Sequence, residues 1–214
     1  AVITVTPPYD DMALTEGRLL SQGSYIDARY VERERRVSCR FRLASDITLW
    51  PLEVTDAAFL SQRAQLAGLG IETGHDIVSG LRLTLRRRTA VRLEDEPKDE
   101  IVQTKPDLWL SALKAGELPV RIIAPADDAI RLYEKLFANC CAIFARYLDE
   151  FGNPVLIRVP LESLEQLGFE EGETLVPGEH RMFRGFELLR ELFLLPEKFH
   201  GFRLTGLQNL LTRI

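Results

Sequence analysis

Three histidines, three cysteines and a short run of glutamates are the residues of this 214-residue chain that could carry catalysis or bind a metal. A metal site needs His, Cys or carboxylate ligands spaced so that they converge on one ion. His75, His180 and His200 each lack a second histidine or a cysteine at that spacing, and no HExxH motif occurs. His75 lies in Gly74-His75-Asp76, a turn-like setting, and all three histidines read as ordinary surface or partly buried side chains. Cys39, Cys140 and Cys141 are an odd, low count that makes no disulfide framework and suits a reducing compartment. On a strand, vicinal Cys140 and Cys141 would point to opposite faces, so they read as buried, inert thiols rather than a chelate. Glu170, Glu171 and Glu173 could do acid–base work only if burial or a coupled partner shifted one of them, and their polar loop context predicts solvated carboxylates. There is no phosphate loop, dinucleotide glycine fingerprint or nucleophile elbow. The sequence therefore assigns no catalytic, cofactor-binding or metal-binding residue, and predicts a protein that is not an enzyme.

Composition narrows the partners. The chain is 46% hydrophobic and 28% charged, ordinary for a folded protein of a size that can bury a real core. A net charge of −5 argues against nucleic acid, because phosphate binding needs a concentrated basic face. The local basic clusters, Arg33-Glu34-Arg35-Arg36 and Arg86-Arg87-Arg88, flank predicted strands and read as solvated sheet edges. No apolar run approaches the roughly 18–20 residues of a membrane helix. Ala1 stands where an initiator methionine would, and both ends read as boundaries inside a longer polypeptide, so the lack of a leader says little of a parent protein.

The elements that would position these residues predict an α+β fold: a β-rich N-terminal part, then an α+β part with two main amphipathic helices. Val37, Cys39, Phe41 and Leu43 alternate with polar residues, as do Leu81, Leu83 and Leu85, which is the period of a half-buried strand. Val2–Thr6 and Asp46–Val54 are further strands, the second bent or at an edge because it contains Pro51. Thr55–Ala67 reads as a short helix capped by Thr55 or Asp56 and ended by Gly68. Glu94–Glu100 has almost nothing to bury and suggests a β-rich domain over 1–93, an acidic loop or linker over 94–106 and an α+β domain over 107–214, or one intertwined domain. Leu118–Ile123 and Phe199–Leu204 are strand candidates. Asp127–Ala138 carries an apolar stripe of Ile130, Tyr133 and Phe137, with acids suited to a helix start. Cys140–Leu148 and Val155–Val159 suggest a hairpin, although the first arm could equally extend the preceding helix. Arg184–Leu195 has Phe186, Leu189 and Phe193 on one face and Leu188, Leu192 and Leu195 on the next, which predicts a helix packed on two sides and stopped by Pro196. Phe41, Leu49, Trp50, Ile130, Phe137, Leu189 and Phe193 are the expected core. A truncation of Phe193 to alanine would then cost about 3–5 kcal/mol.

Two stretches resemble a known family. Cys39–Val54, with Thr48-Leu49-Trp50-Pro51-Leu52 as its specific part, is similar to a segment of the TssF (ImpG, VasA) family of the type VI secretion system. Phe183–Phe199 with Phe202–Leu207, centred on Pro196-Glu197-Lys198-Phe199, is similar to a second signature of the same family. Residues 123–136 and Gly168–Pro177 resemble it as well. Phe186 and Glu187 depart from the family's usual tyrosine and arginine. Leu192–Leu195 and His200-Gly201 stand where the family is more aromatic.

The resemblance covers nearly the whole chain and implies an internal piece of a longer structural subunit. Its members are expected to build a cytoplasmic baseplate at the inner face of the bacterial inner membrane. The expected partners are TssG, TssK, the TssE subunit of the gene-25 type and a second TssF copy, with the VgrG spike and the membrane complex reached through the baseplate. No nucleic acid, membrane span or cofactor is implied. Two alternatives remain: a glycan- or peptide-binding β module, which would need an aromatic groove, and a hydrolase using the Glu170–Glu173 region.

Overall fold

The computed structural model describes residues 7, 14, 17–32, 35–74, 76–88, 110, 113–149, 151–175 and 183–211. The Val2–Thr6 strand, the Glu94–Glu100 loop, His75 and His180 lie outside them.

The strands are β1 (Arg18–Leu20), β2 (Tyr25–Glu32), β3 (Arg35–Arg42), β4 (Ile47–Leu49), β5 (Leu52–Leu60), β6 (Gly80–Arg87), β7 (Glu117–Arg121), β8 (Ile143–Leu148), β9 (Pro154–Val159), β10 (Leu164–Gln166) and β11 (Gly201–Thr205). The helices are α1 (Arg63–Ala67), α2 (Ala126–Asn139), α3 (Arg184–Leu194) and α4 (Leu207–Leu211). Among the described residues the strands form small antiparallel sheets. Four are two-stranded, β1–β4, β2–β3, β5–β6 and β8–β9, and one is three-stranded, in the order β10–β11–β7. The mixed α+β fold is the one the sequence predicts, with strands dominating the first part.

The alternation holds where it was clearest. Val37, Cys39 and Phe41 are half-buried while Ser38, Arg40 and Arg42 are exposed, and β6 repeats the pattern. Arg40 pairs across the ribbon with Asp27, its Nε donating at 2.7 Å to Oδ1, so the polar face is closed by a cross-strand ion pair.

Other segments differ from their sequence reading. Asp46–Val54 is two strands, because the chain breaks at Trp50-Pro51 and restarts at Leu52. Pro51 is fully buried and its carbonyl accepts from the Arg88 N–H at 2.8 Å, so the break is held by the end of β6. The expected Thr55–Ala67 helix is a strand as far as Leu60, and only Arg63–Ala67 is helical, capped by Gln62 and ended by Gly68. The competing force is β6, which pairs with this segment throughout, with one irregularity between Val54 and Asp56. The helix α2 runs to Asn139, so Cys140 leaves it and Ile143 opens β8. Cys140 is half-buried, but Cys141 is exposed, against the expectation that both are buried.

A small core joins early and late parts of the chain. Leu113, Ala115 and Leu211 are buried together, and Trp50, Leu52 and Leu110 pack on them. A fully buried leucine of this kind stabilises by about 1.5–3 kcal/mol. On α2, Ala129 is the buried residue, Tyr133 and Phe137 are half-buried with ring centroids 4.7 Å apart, and Ile130 is 50% exposed. The helix is therefore turned slightly from the expected stripe, and Ile130 is not core.

Candidate functional site

The site begins where Pro196 ends α3. Proline cannot continue the helix, so the chain turns through a short 3-10 segment, Pro196–Lys198, and enters β11. This turn carries Lys198 back beneath α3, where it meets Glu191. Lys198 is 3% exposed and Glu191 2%. The Lys198 ammonium pairs with Glu191 Oε2, and the other carboxylate oxygen accepts from the Leu175 N–H at 2.7 Å. Among the described side chains of α3, Glu191 is the buried one.

A second charged group lies alongside. Arg203, in the middle of β11, is buried, and the carboxylates of Glu117, Glu165, Glu170 and Glu173 surround it at 2.7 to 3.9 Å. Burial pushes this guanidinium down, but Glu173, Glu117 and Glu170 more than offset it, so it holds its proton above its ordinary value. Glu173 has both oxygens engaged: Oε1 accepts from Arg203 at 2.7 Å, and Oε2 accepts from the N–H groups of Gly168 at 2.7 Å and Glu170 at 3.1 Å. Arg121 completes the arrangement by donating to the Lys198 carbonyl at 2.6 Å. Burial lowers its pKa, with Glu173 acting in the opposite sense. The glutamates of the 170–173 loop are thus organised around a cation. A carboxylate fixed by three donors is placed to hold charge and chain geometry together, which is scaffold chemistry.

The opposite side of α3 is apolar and open. Phe193 is 84% exposed and Leu189 52%, so neither is core, contrary to expectation, and Phe186, Leu192 and Leu194 are exposed as well. Phe183, before the helix, is 74% exposed and meets Phe186 edge to face. Between this helix and the tilted Phe169–Phe199 pair lies a groove of about 410 Å³, with Phe186, Leu189 and Leu192 along its other wall. Phe183, Phe186, Leu189 and Leu192 thus present exposed apolar side chains along the groove, with Phe193 beyond it.

His200 is half-buried near this turn, and its carbonyl accepts from the Ile122 N–H at 2.9 Å. The structure brings it together with neither Cys140 nor Cys141 in a metal-binding group; among the described residues no three His, Cys, Asp or Glu side chains are so placed. Sequence reasoning missed Glu191, Lys198 and Arg203. The available signal was that the first two are charged residues embedded in an otherwise apolar signature.

Fold and site together define a class: an α+β scaffold of small sheets, pinned by buried charge, that presents an apolar helix face. Comparison with known proteins gives the family. Residues 1–214 match the model of the family described as "Type VI secretion system, TssF", and the chain belongs to that family. It is 29% identical over 212 residues to the type VI secretion system component TssF1 of Pseudomonas aeruginosa, covering 99% of this chain and 31% of that protein. It also superposes with a TM-score of 0.65 and 22% identity on a chain of the TssK-TssF-TssG baseplate subcomplex solved by cryo-electron microscopy. That match covers 96% of this chain and 32% of the other, and at this identity it shows the fold. The chain thus spans about a third of the length of these relatives.

Proposed function

We propose that this chain is a structural part of the type VI secretion baseplate, serving as scaffold in the wedge on which tail tube and sheath are built. Membership of the TssF family supports this reading, and the exposed apolar face of α3 over a buried ionic underlay is the observation that carries it. A part that holds others in register needs extended surface and a stiff support, and this site has both. TssG and TssK are the partners favoured by the likeness to the TssK-TssF-TssG subcomplex. Contacts with a TssE-type subunit, a second TssF copy, the VgrG spike and the membrane complex belong to the same reading, as does a place at the inner face of the inner membrane. Among the described residues no helix is long and apolar enough to cross a membrane. The reading assigns no catalysis to the chain. The chain is read as one intertwined unit, because Trp50 and Leu52 pack against the core of Leu113, Ala115 and Leu211.

The test is genetic and biochemical. Deleting the gene that encodes this chain should abolish sheath assembly, and TssG should co-purify with the intact subunit. Normal sheaths that still contract in the deletion strain would overturn the assignment.

A further inference from the structure

The helix α3 is inside out by the ordinary rule. Helices of folded proteins turn their apolar stripe to the core and their charges to water. Here the residue most deeply buried on α3 is a glutamate, 2% exposed, while Phe193 is among the most exposed large apolar residues described. At about 100° per residue, Phe193, Leu189 and Phe186 lie roughly opposite Glu191 on the helix surface. About half a turn around its own axis would therefore exchange the two sides, sending the phenylalanines inward and the carboxylate out to water.

What opposes it is the grip on Glu191. One carboxylate oxygen takes the Leu175 N–H at 2.7 Å and the other takes Lys198, itself buried and delivered by the Pro196–Lys198 turn. Lys198 is in turn held by its backbone, where Arg121 of β7 donates to its carbonyl at 2.6 Å. Rotating α3 would take the carboxylate away from a buried ammonium and from the half-buried Leu175 N–H. A buried ion pair is a poor source of net stability but an effective selector among packings, because the wrong packing leaves a charge unpaired.

We propose that the Glu191–Lys198 pair is an orientation lock: it fixes the rotation of α3 so that the apolar stripe stays outward. This goes beyond the scaffold reading and does not depend on it, since the lock is a property of the chain whatever covers the stripe.

Hydroxyl-radical footprinting with peptide mass spectrometry on the full 214-residue chain reads it directly, with exposed Phe151 at the β8–β9 turn as internal control. In the unaltered chain Phe186 and Phe193 should oxidise at rates comparable with Phe151. In the double variant Glu191→Leu/Lys198→Met, which replaces the pair by apolar groups, oxidation of Phe186 and Phe193 should fall roughly threefold or more while Phe151 is unchanged. A folded double variant with unchanged Phe186 and Phe193 rates overturns the lock. So does protection of Phe193 in the unaltered chain. Glu191→Gln keeps an acceptor for Leu175 but removes the charge; if the double variant does not fold, a measurable fall in this single variant supports the lock and an unchanged rate overturns it. Loss of fold in both variants also overturns it, because the pair would then be a stability element.

Discussion

Glu191 and Lys198 bury opposite charges against each other across the proline that separates helix from strand; Glu191 also accepts from the Leu175 backbone N–H, and the Lys198 carbonyl accepts from the Arg121 guanidinium. Removing one partner is worse than removing both. Lys198→Ala leaves the Glu191 carboxylate buried and unpaired, and should lower unfolding stability by about 3–5 kcal/mol. Urea titration checks it, with the midpoint shifting and the slope unchanged. A loss under about 1 kcal/mol would mean that another donor takes the place of the lysine.

Phe193→Ser should behave in the opposite way. With the ring 84% exposed, the stability of the chain should change by no more than about 0.5 kcal/mol, where the sequence alone suggested a large loss. Binding of a hydrophobic dye should fall, and so should co-purification of TssG if this face carries the contact. A destabilisation of several kcal/mol would show that the ring is covered in solution.

Gly201 opens β11 opposite Arg121, and a Cβ there would lie 2.6 Å from the Val120 carbonyl oxygen. Gly201→Ala must push the two strands apart, which should cost about 1–3 kcal/mol in thermal or urea unfolding. Hydrogen exchange at Ile122, whose N–H donates to the His200 carbonyl, should quicken with it. Unchanged exchange at Ile122 would show that the strand end absorbs a methyl freely.

The two vicinal thiols should separate kinetically. Burial pushes the Cys140 thiol up from its ordinary pKa, while Cys141 is exposed. Alkylation near pH 8 should modify Cys141 roughly tenfold faster than Cys140. Equal rates by peptide mapping would contradict the assigned burial.

Asp149 caps the β8–β9 turn. The Asn153 backbone N–H at 2.7 Å, with further donation from the Asn153 side chain and from Phe151, holds its carboxyl below the usual carboxylate range. Because the folded pKa is depressed, the turn's contribution is complete above the unfolded value of about 3.9 and is lost as pH falls through the lower folded value. Hydrogen exchange at Phe151 and Asn153, corrected for intrinsic rates, should therefore accelerate only in that acid window, and Asp149→Ala should remove the window. A pH-independent protection in the native chain would sink the capping role.

Much of the fold was legible because period and punctuation are local. The alternation of β3 and β6, the extent of α2, the stop at Pro196 and the hairpin around Gly152 all follow from residues within a few positions of one another. Helix α3 shows the limit. Its spacing states which residues share a side, but which side faces inward is decided by Lys198 beyond the proline and by the Leu175 N–H from another segment. The Thr55–Leu60 error has the same origin, since the residues that make it a strand belong to β6. Arg203 was hidden for a further reason: its four glutamates come from β7, β10 and the 170–173 loop, and only the folded sheet gathers them.

The pairing of β7 with β11 has a consequence for the order of folding. The ribbons β2–β3 and β8–β9 close between neighbours in sequence and can form as soon as both arms leave the ribosome. Residues 117–121 must wait for residues 201–205, so β7 stays without its ladder while everything between is synthesised. Closing that long loop comes late, and the entropy of closure falls on the step that also brings Arg121 to the Lys198 carbonyl and Glu117 to Arg203. Until then those two contacts are missing, and the exposed phenylalanines of α3 make nascent chains the stage most exposed to misassociation.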